Sequence, residues 1–500
     1  NGSSLAGKSV VLTVTAPDNT SQTYTGSTYD VYGHYLFEGL AGFNQKGAYT
    51  FTASFTETQY LAASASDSMI LMVEASGGYA IIVEGKIQNQ EGLASHNKTA
   101  NRIYQKLKAR GFTDADIYYF NYNIGQTTVD AVPSKAAVQS VIQDWAKTKM
   151  NTAPAPLYII MVDHGNPDKF WINSETITPA DLASWIAALE SGLQTAALAE
   201  KRVVIIGSCF SGSFVSSLSG VNRIVVTSAA ADEESYKGPM EGDGVRSGEF
   251  FLEEMFKVLG RGYSFKKSFA DATEQTELLT KKNSNRNSAN KYLDNAVQHP
   301  LLDDNGDGKG SNVISDEGDG LESGGMFLGV GVTYDTNSAS NPADVTGVTE
   351  TLYLGTAAKS ALLWATVNDD SQVDGAAWIE LRTPDQSLTA TGGSGQLEVP
   401  FTRVPMTLNS GAGRWETTFD QFIENGMYEV FYFVRDVETQ AVSLMKRSLV
   451  YKNLLGNSPP AQFGPLAPAD GATPKTVLVL DWEDSIDPEG DAMSYSLLIS

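Results

Sequence analysis

Cysteine is almost absent: the 500 residues hold one, Cys209. A lone thiol forms no internal disulfide, so pairing says nothing of the compartment, and the chemistry of the thiol itself comes forward. Histidine is nearly as scarce, with four. No apolar stretch approaches the ~20 residues that a bilayer-spanning helix requires, and neither end has a basic-then-apolar targeting segment. Positive charge is also short. Against 59 acidic side chains stand 35 basic ones, a formal net charge of −24. Such a surface repels phosphate backbones and anionic lipid, which argues against a nucleic-acid partner and suits a secreted, solubilised protein.

What is present is globular material. A 42% hydrophobic content over this length supports roughly three or four domains. Residues 1–77 alternate apolar and polar at period two, as in Ser9-Val10-Val11-Leu12-Thr13-Val14, with Gly/Asn/Asp turns between, and predict an Ig-like β-sandwich. From Tyr79 the period changes. Strands Ala80–Val83, Ile117–Phe120, Leu157–Val162 and Val203–Ile206 alternate with amphipathic helices, one carrying Ala100, Ile103, Tyr104 and Leu107 and closed by Gly111, another carrying Val138, Ile142 and Trp145. A third helix should start at Thr178-Pro179-Ala180-Asp181, where Thr caps, Pro fits the first turn and Asp answers the cap. Such units build a mostly parallel sheet with helices on both faces, expected over 78–335. Alternation returns over 340–455 as a second Ig-like sandwich, and Pro459-Pro460 opens a partial fibronectin type III-like module over 458–500. The chain starts on Asn1 and stops inside the strand-like run ending Ile499-Ser500, so it is expected to be an excerpt of a longer polypeptide.

In an open parallel sheet, functional groups gather at the carboxyl ends of the strands. Cys209 follows one apolar run there, and His164-Gly165 follows the other. Thiolate chemistry needs a group to take the thiol proton, and imidazole serves at neutral pH. The short residues after Cys209, Phe210-Ser211-Gly212-Ser213, suggest a helical turn whose positive end, with a neighbouring imidazolium, would lower the thiol pKa. The backbone amides of Gly165 and Cys209 are then a natural pair for a developing oxyanion. Acyl transfer is the reaction this order of residues suits.

The two motifs, Met161-Val162-Asp163-His164-Gly165 and Ile206-Gly207-Ser208-Cys209-Phe210-Ser211-Gly212-Ser213, resemble those of the legumain-type peptidases of the caspase-like fold. The likeness runs from about Tyr79 to Val332. It implies a cysteine endopeptidase with a peptide or protein substrate, His164 and Cys209 as its dyad, and no cofactor for catalysis. It also implies that Asp163, the Ser235 of Glu234-Ser235-Tyr236 and the Asp243 of Gly242-Asp243 shape the pocket for the residue before the scissile bond. One departure stands out. The basic pocket residue after the first strand has no clear counterpart; Ser95 and His96 lie nearest, which leaves a preference for Asn open. The other histidines, His34, His96 and His299, are expected at the surface.

Two further segments carry expectations. Asp303, Asn305 and Asp307, with Gly308 at the sharp turn, match the first half of a calcium loop, whereas Ile314 occupies the twelfth position, so a closing carboxylate would come from Asp316, Glu317 or Asp319. The polar stretch Lys281–Asn290 reads as an exposed loop, a target for self-processing by an Asn-cleaving enzyme. Together these predict an extracellular or surface-displayed modular peptidase, attached to the cell through its sandwich modules; the competing expectation is an adhesin or structural surface protein with an inactive peptidase-like core.

Overall fold

The computed structural model describes residues 5–29, 33–37, 40, 43, 45, 47–56, 63–66, 68–73, 77–88, 93–241, 243–282, 286, 295–315, 317–330, 342–386, 399, 401–438, 440–453, 465–467 and 481–482. Period-two alternation produces an N-terminal antiparallel sheet of β1 (Ser9–Thr15), β2 (Ser21–Ser27), β3 (Gly47–Phe55), β4 (Ser64–Ala65) and β5 (Met69–Val73). Its order is β2-β1-β3-β4, with β5 also on β3. Leu12, Val14, Tyr49 and Phe51 form its small core, covered by Phe37, Leu40 and Phe43. Among the described residues this is one sheet under a loop layer, where a two-sheet sandwich was expected.

The central domain holds β6 (Tyr79–Glu84), β7 (Lys86–Ile87), β8 (Ile117–Phe120), β9 (Leu157–Val162), β10 (Gly165–Asn166), β11 (Lys169–Asn173), β12 (Glu175–Ile177), β13 (Arg202–Gly207), β14 (Arg223–Thr227) and β15 (Leu301–Asp303). Six of these form one sheet, ordered β15-β14-β13-β9-β6-β8, parallel except at β15. β7 and β10 to β12 make a small separate sheet.

Every residue of β6, β9 and β13 is buried, because helices cover both faces and each strand must be apolar on both sides. One face sends Ile81, Val83, Ile159, Met161, Val204 and Ile206 against Val138, Ile142 and Leu182. Those come from α2 (Lys135–Ser140), which runs through a π turn into α3 (Lys147–Thr152), and from α4 (Pro179–Ser191); the short α5 (Thr195–Ala199) and α6 (Val215–Leu218) follow. The opposite face sends Ala80, Ile82, Ile160, Val203 and Ile205 against α1 (Leu93–Ala109), α7 (Phe250–Gly260) and α8 (Phe265–Thr280). Each such Val or Ile contributes about 1.5–3 kcal/mol. The expected caps are present: Thr178 Oγ accepts from the Asp181 amide, Asp181 Oδ2 accepts from the Thr178 amide, and Gly111 takes φ +89 after α1.

Residues 345–452 form a two-sheet sandwich. One sheet runs β16 (Val345–Val348), β18 (Ala361–Val367), β22 (Arg414–Phe419), β21 (Thr407–Asn409). The other runs β17 (Leu352–Leu354), β24 (Lys446–Lys452), β23 (Gly426–Asp436), β19 (Val373–Arg382), β20 (Thr402–Pro405). The core between them contains Leu363, Trp415, Ile379 and Tyr432. Of the expected last module only the paired β25 (Pro465–Ala467) and β26 (Asp481–Trp482) fall within the described residues.

This sandwich is welded to the central domain. Trp378, Phe431 and Phe433 share a cluster with Tyr236, Phe250 and Leu279. The Arg382 guanidinium donates to the Lys281 carbonyl at 3.2 Å and to that of Leu279, where the last turn of α8 leaves carbonyls without helical donors. Buried Glu429 takes Arg447 at 2.8 Å and Arg382 at 3.3 Å, with Arg286 at 3.6 Å. Lys281 and Arg286 are buried, contrary to the exposed loop expected there, whereas Lys282 is exposed; residues 283–285 and 287–290 of that stretch lie outside the described residues.

Candidate active site

Strand register brings the two motifs together. β9 and β13 are parallel neighbours paired through Val162↔Gly207, and the ladder continues as the Asp163 amide donates to the Gly207 carbonyl at 3.1 Å. His164 and Cys209 therefore leave adjacent strand ends side by side. Glycine at 165 is a steric requirement, since a Cβ there would lie 2.1 Å from the Cys209 carbonyl oxygen. The chain then turns into the β10–β11 hairpin, and the Trp171 amide donates to the His164 carbonyl at 3.2 Å, fixing the histidine backbone.

Cys209 is wholly buried, at 0% exposure, and His164 is 1% exposed. The Cys209 sulfur accepts from the Ser235 amide at 3.3 Å and lies 3.6 Å from the Ser235 hydroxyl. Ser235, expected in the substrate pocket, sits on the thiol. Its segment is stitched down, with the Phe210 amide donating to the Glu233 carbonyl at 2.7 Å and Glu233 held by His299 Nδ1 at 2.6 Å. Burial pushes the Cys209 thiol up to about 11; the Ser235 contacts oppose that, and the charges of Glu234 and Glu249 add to it. The depressed pKa expected from a helix N-terminus is not found. Directly after Cys209 come a left-handed Phe210 (φ 58) and a 3-10 turn, Ser211–Phe214, too short for a dipole that could offset desolvation.

Asp163 was expected to line the pocket and is fully buried beneath the histidine. Its Oδ1 is 3.0 Å from His96 Nδ1, and the His96 and His164 rings meet edge to face at 4.7 Å. Burial raises the Asp163 carboxyl well above the usual range, against the opposing pull of the His164 charge and amide. His96 is likewise at 0% exposure, which overturns its expected place at the surface. The signal was there: position 96 is one helical turn before Ala100 on the stripe of Ala100, Ile103, Tyr104 and Leu107. His34 is exposed, and His299 is half-buried in its pair with Glu233.

Two more acids were missed. Glu84, at the end of β6 beside β9, is buried and pushed up to about 8 by desolvation. Glu249, which caps α7 through the Leu252 amide at 2.7 Å, is also pushed up to about 8 by burial. Both are protonated at neutral pH. Asp243 is half-exposed, and its carboxylate pairs with Lys98 of α1 at 2.8 Å.

At the expected calcium loop, Asp303 accepts from the amides of Gly306 and Gly308, each at 3.1 Å, and Gly308 makes the sharp turn at φ +80. Asn305 and Asp307 accept from the Asp307 and Lys309 amides, each at 2.8 Å. Asp319 accepts from the Asp304 amide at 3.2 Å, and burial with the nearby Asp303, Asp304 and Asp307 raises its carboxyl to about 6.

Residues 96–299 match the model of the Peptidase C13 family. The resemblance carried by the two motifs is thus also a family-model match over that segment, about two fifths of the chain. No curated protein matches the chain. Among solved structures, caspase-1 from Spodoptera frugiperda is similar at 12% identity, over 46% of this chain and 86% of that one, with a TM-score of 0.33. CopC from Methylosinus trichosporium OB3b is similar at 11% identity, over 22% of this chain and 93% of that one, with a TM-score of 0.14.

Proposed function

We propose that the chain is a cysteine endopeptidase of caspase-like fold in which Cys209 attacks the scissile carbonyl. His164 takes the thiol proton and returns it to the leaving amine, and the amides of Gly165 and Cys209 hold the oxyanion. The observation that carries this reading is the β9–β13 register, which delivers an imidazole and a thiol to one sheet edge with Gly165 against the Cys209 carbonyl. Because the sulfur is covered by Ser235, the Glu234–Tyr236 segment must move aside as substrate enters, and the thiol ionises against His164 only then. Asp163 acts from beneath His164 in this scheme, and Asp243, tied to Lys98, shapes the outer wall of the pocket. Fluorogenic peptides differing only in the residue before the cleaved bond test it. Cleavage by the native chain and none by Cys209→Ala or His164→Ala is expected; equal cleavage by Cys209→Ala ends the reading. The competing adhesin reading gains no support from the family match.

The expected extracellular location, cell-surface attachment and Ig-like identity of 340–455 belong to the same proposal. Their support is the acidic surface and the two-sheet packing of 345–452; among the described residues no helix is long and apolar enough to cross a membrane. Asp303, Asn305 and Asp307 are retained as calcium ligands, with Asp319 closing the loop. Amide bonds to the first Asp and a Gly at the sixth position are compatible with such a loop, and an ion would compensate the crowded carboxylates.

A further inference from the structure

Beside the thiol, and sharing its histidine, lies the densest set of metal-ligating side chains among the described residues: His96, Asp163 and His164, all buried, whose ligand atoms fall within 4.8 Å of one another. They come from two elements, α1 and the end of β9, that meet through these side chains. His96 stands on α1, packed so closely on residues 247–249 that a Cβ at Gly248 would meet its ring at 2.4 Å. Asp163 and His164 follow β9 consecutively, and Gly85 leaves the space that the Asp163 carboxylate fills, its absent Cβ being 2.6 Å from Oδ2.

We infer that His96, Asp163 and His164 form a binding site for a single divalent transition-metal ion of the zinc type. Two imidazoles and one carboxylate are the donor set that zinc takes with one position left open. Bonds of about 2.0–2.2 Å place neighbouring donors roughly 3.3 Å apart, so donors now within 4.8 Å of one another need to close in by at most about 1.5 Å. An ion would also neutralise a fully buried carboxylate that faces imidazole. On the proposed function, the ion takes His164 away from Cys209, so zinc inhibits the peptidase and a chelator restores it.

Binding is measured on the full chain carrying Cys209→Ala, so that neither peptidase activity nor capture by the thiol enters the result. Titration calorimetry with zinc chloride should give one ion per chain and a rise in Tm, and cobalt(II) should give the intense visible bands of a four-coordinate site. His96→Asn and the isosteric Asp163→Asn should each weaken binding at least tenfold. Should His96→Asn fail to fold, judged by its metal-free thermal transition, Asp163→Asn decides alone. No binding to Cys209→Ala, or unchanged binding in the folded variants, overturns the site whatever the peptidase assay shows; tight binding by an inactive chain upholds the site and counts against the peptidase reading only.

Discussion

The Ser235 backbone amide donates to the Cys209 sulfur across 3.3 Å, so the thiol of this domain rests under the residue that follows Glu234. A donor at that distance favours thiolate, yet desolvation dominates and the thiol stays protonated, with its pKa raised to about 11. The resting site is closed and unionised.

Iodoacetamide should consequently label the native chain slowly at neutral pH, with the rate climbing only toward pH 11. Rapid labelling near pH 6 would contradict the closed site. Ser235→Ala removes the hydroxyl contact and should move the labelling profile to higher pH, since that contact opposes the upward shift.

Glu249 gives a pH dependence of stability with a definite sign. Its carboxyl titrates near 4.5 when unfolded and near 8 when folded, so the folded state binds the extra proton between those values. Its contribution is complete below about pH 4.5 and is lost as pH rises to 8, by at most about 5 kcal/mol at roughly 1.4 kcal/mol per unit. Urea unfolding at pH 5 and pH 8 should show a smaller difference for Glu249→Gln than for the native chain.

Gly165→Ala puts a Cβ 2.1 Å from the Cys209 carbonyl oxygen. The two strand ends must part, at a cost of about 3 kcal/mol, and peptide cleavage should disappear. Gly355→Ala, whose Cβ would meet nothing within 4 Å, should stay within about 0.5 kcal/mol of the native chain. Equal costs for both would dismiss the close approach.

Trp378 stacks on Phe433 at 5.5 Å and belongs to the cluster that contains Tyr236. Trp378→Ala should cost about 3–5 kcal/mol and loosen the segment over the thiol. Faster iodoacetamide labelling of Cys209 together with a fall in kcat is the expected pair; labelling at the native rate would show that the sandwich does not hold that segment.

Calcium at millimolar concentration should raise Tm in the native chain and fail to do so in Asp307→Ala. A Tm indifferent to calcium in both would leave the 303–308 turn as an amide-capped loop and no more.

The central sheet was legible because its strands are short continuous apolar runs, and the cap at Thr178 because side chains within four residues determine it. The hairpin after His164 and the helices α7 and α8 went unread: β10 and β12 are only two and three residues long, and α7 is buried all round, its charged Glu253, Glu254 and Lys257 included. The meeting of His164 and Cys209 at neighbouring strand ends was visible as two residues behind two runs. Whether the thiol would be acidified was not, because desolvation depends on what folds over it from Ser235, 26 residues later. His96 was misplaced for a different reason: its helical stripe marked it as inward, but a polar residue there has a partner only once β9 delivers Asp163.

The Arg382 clasp on the end of α8 has a practical corollary. A fragment cut to the matched stretch 96–299 would lose β6 from the middle of the sheet, together with the guanidinium that closes off Leu279 and Lys281. It would also bare Tyr236, Phe250 and Leu279 to water. Such an excised fragment should aggregate on expression, and one running from the start of β6 through β24 should stay soluble.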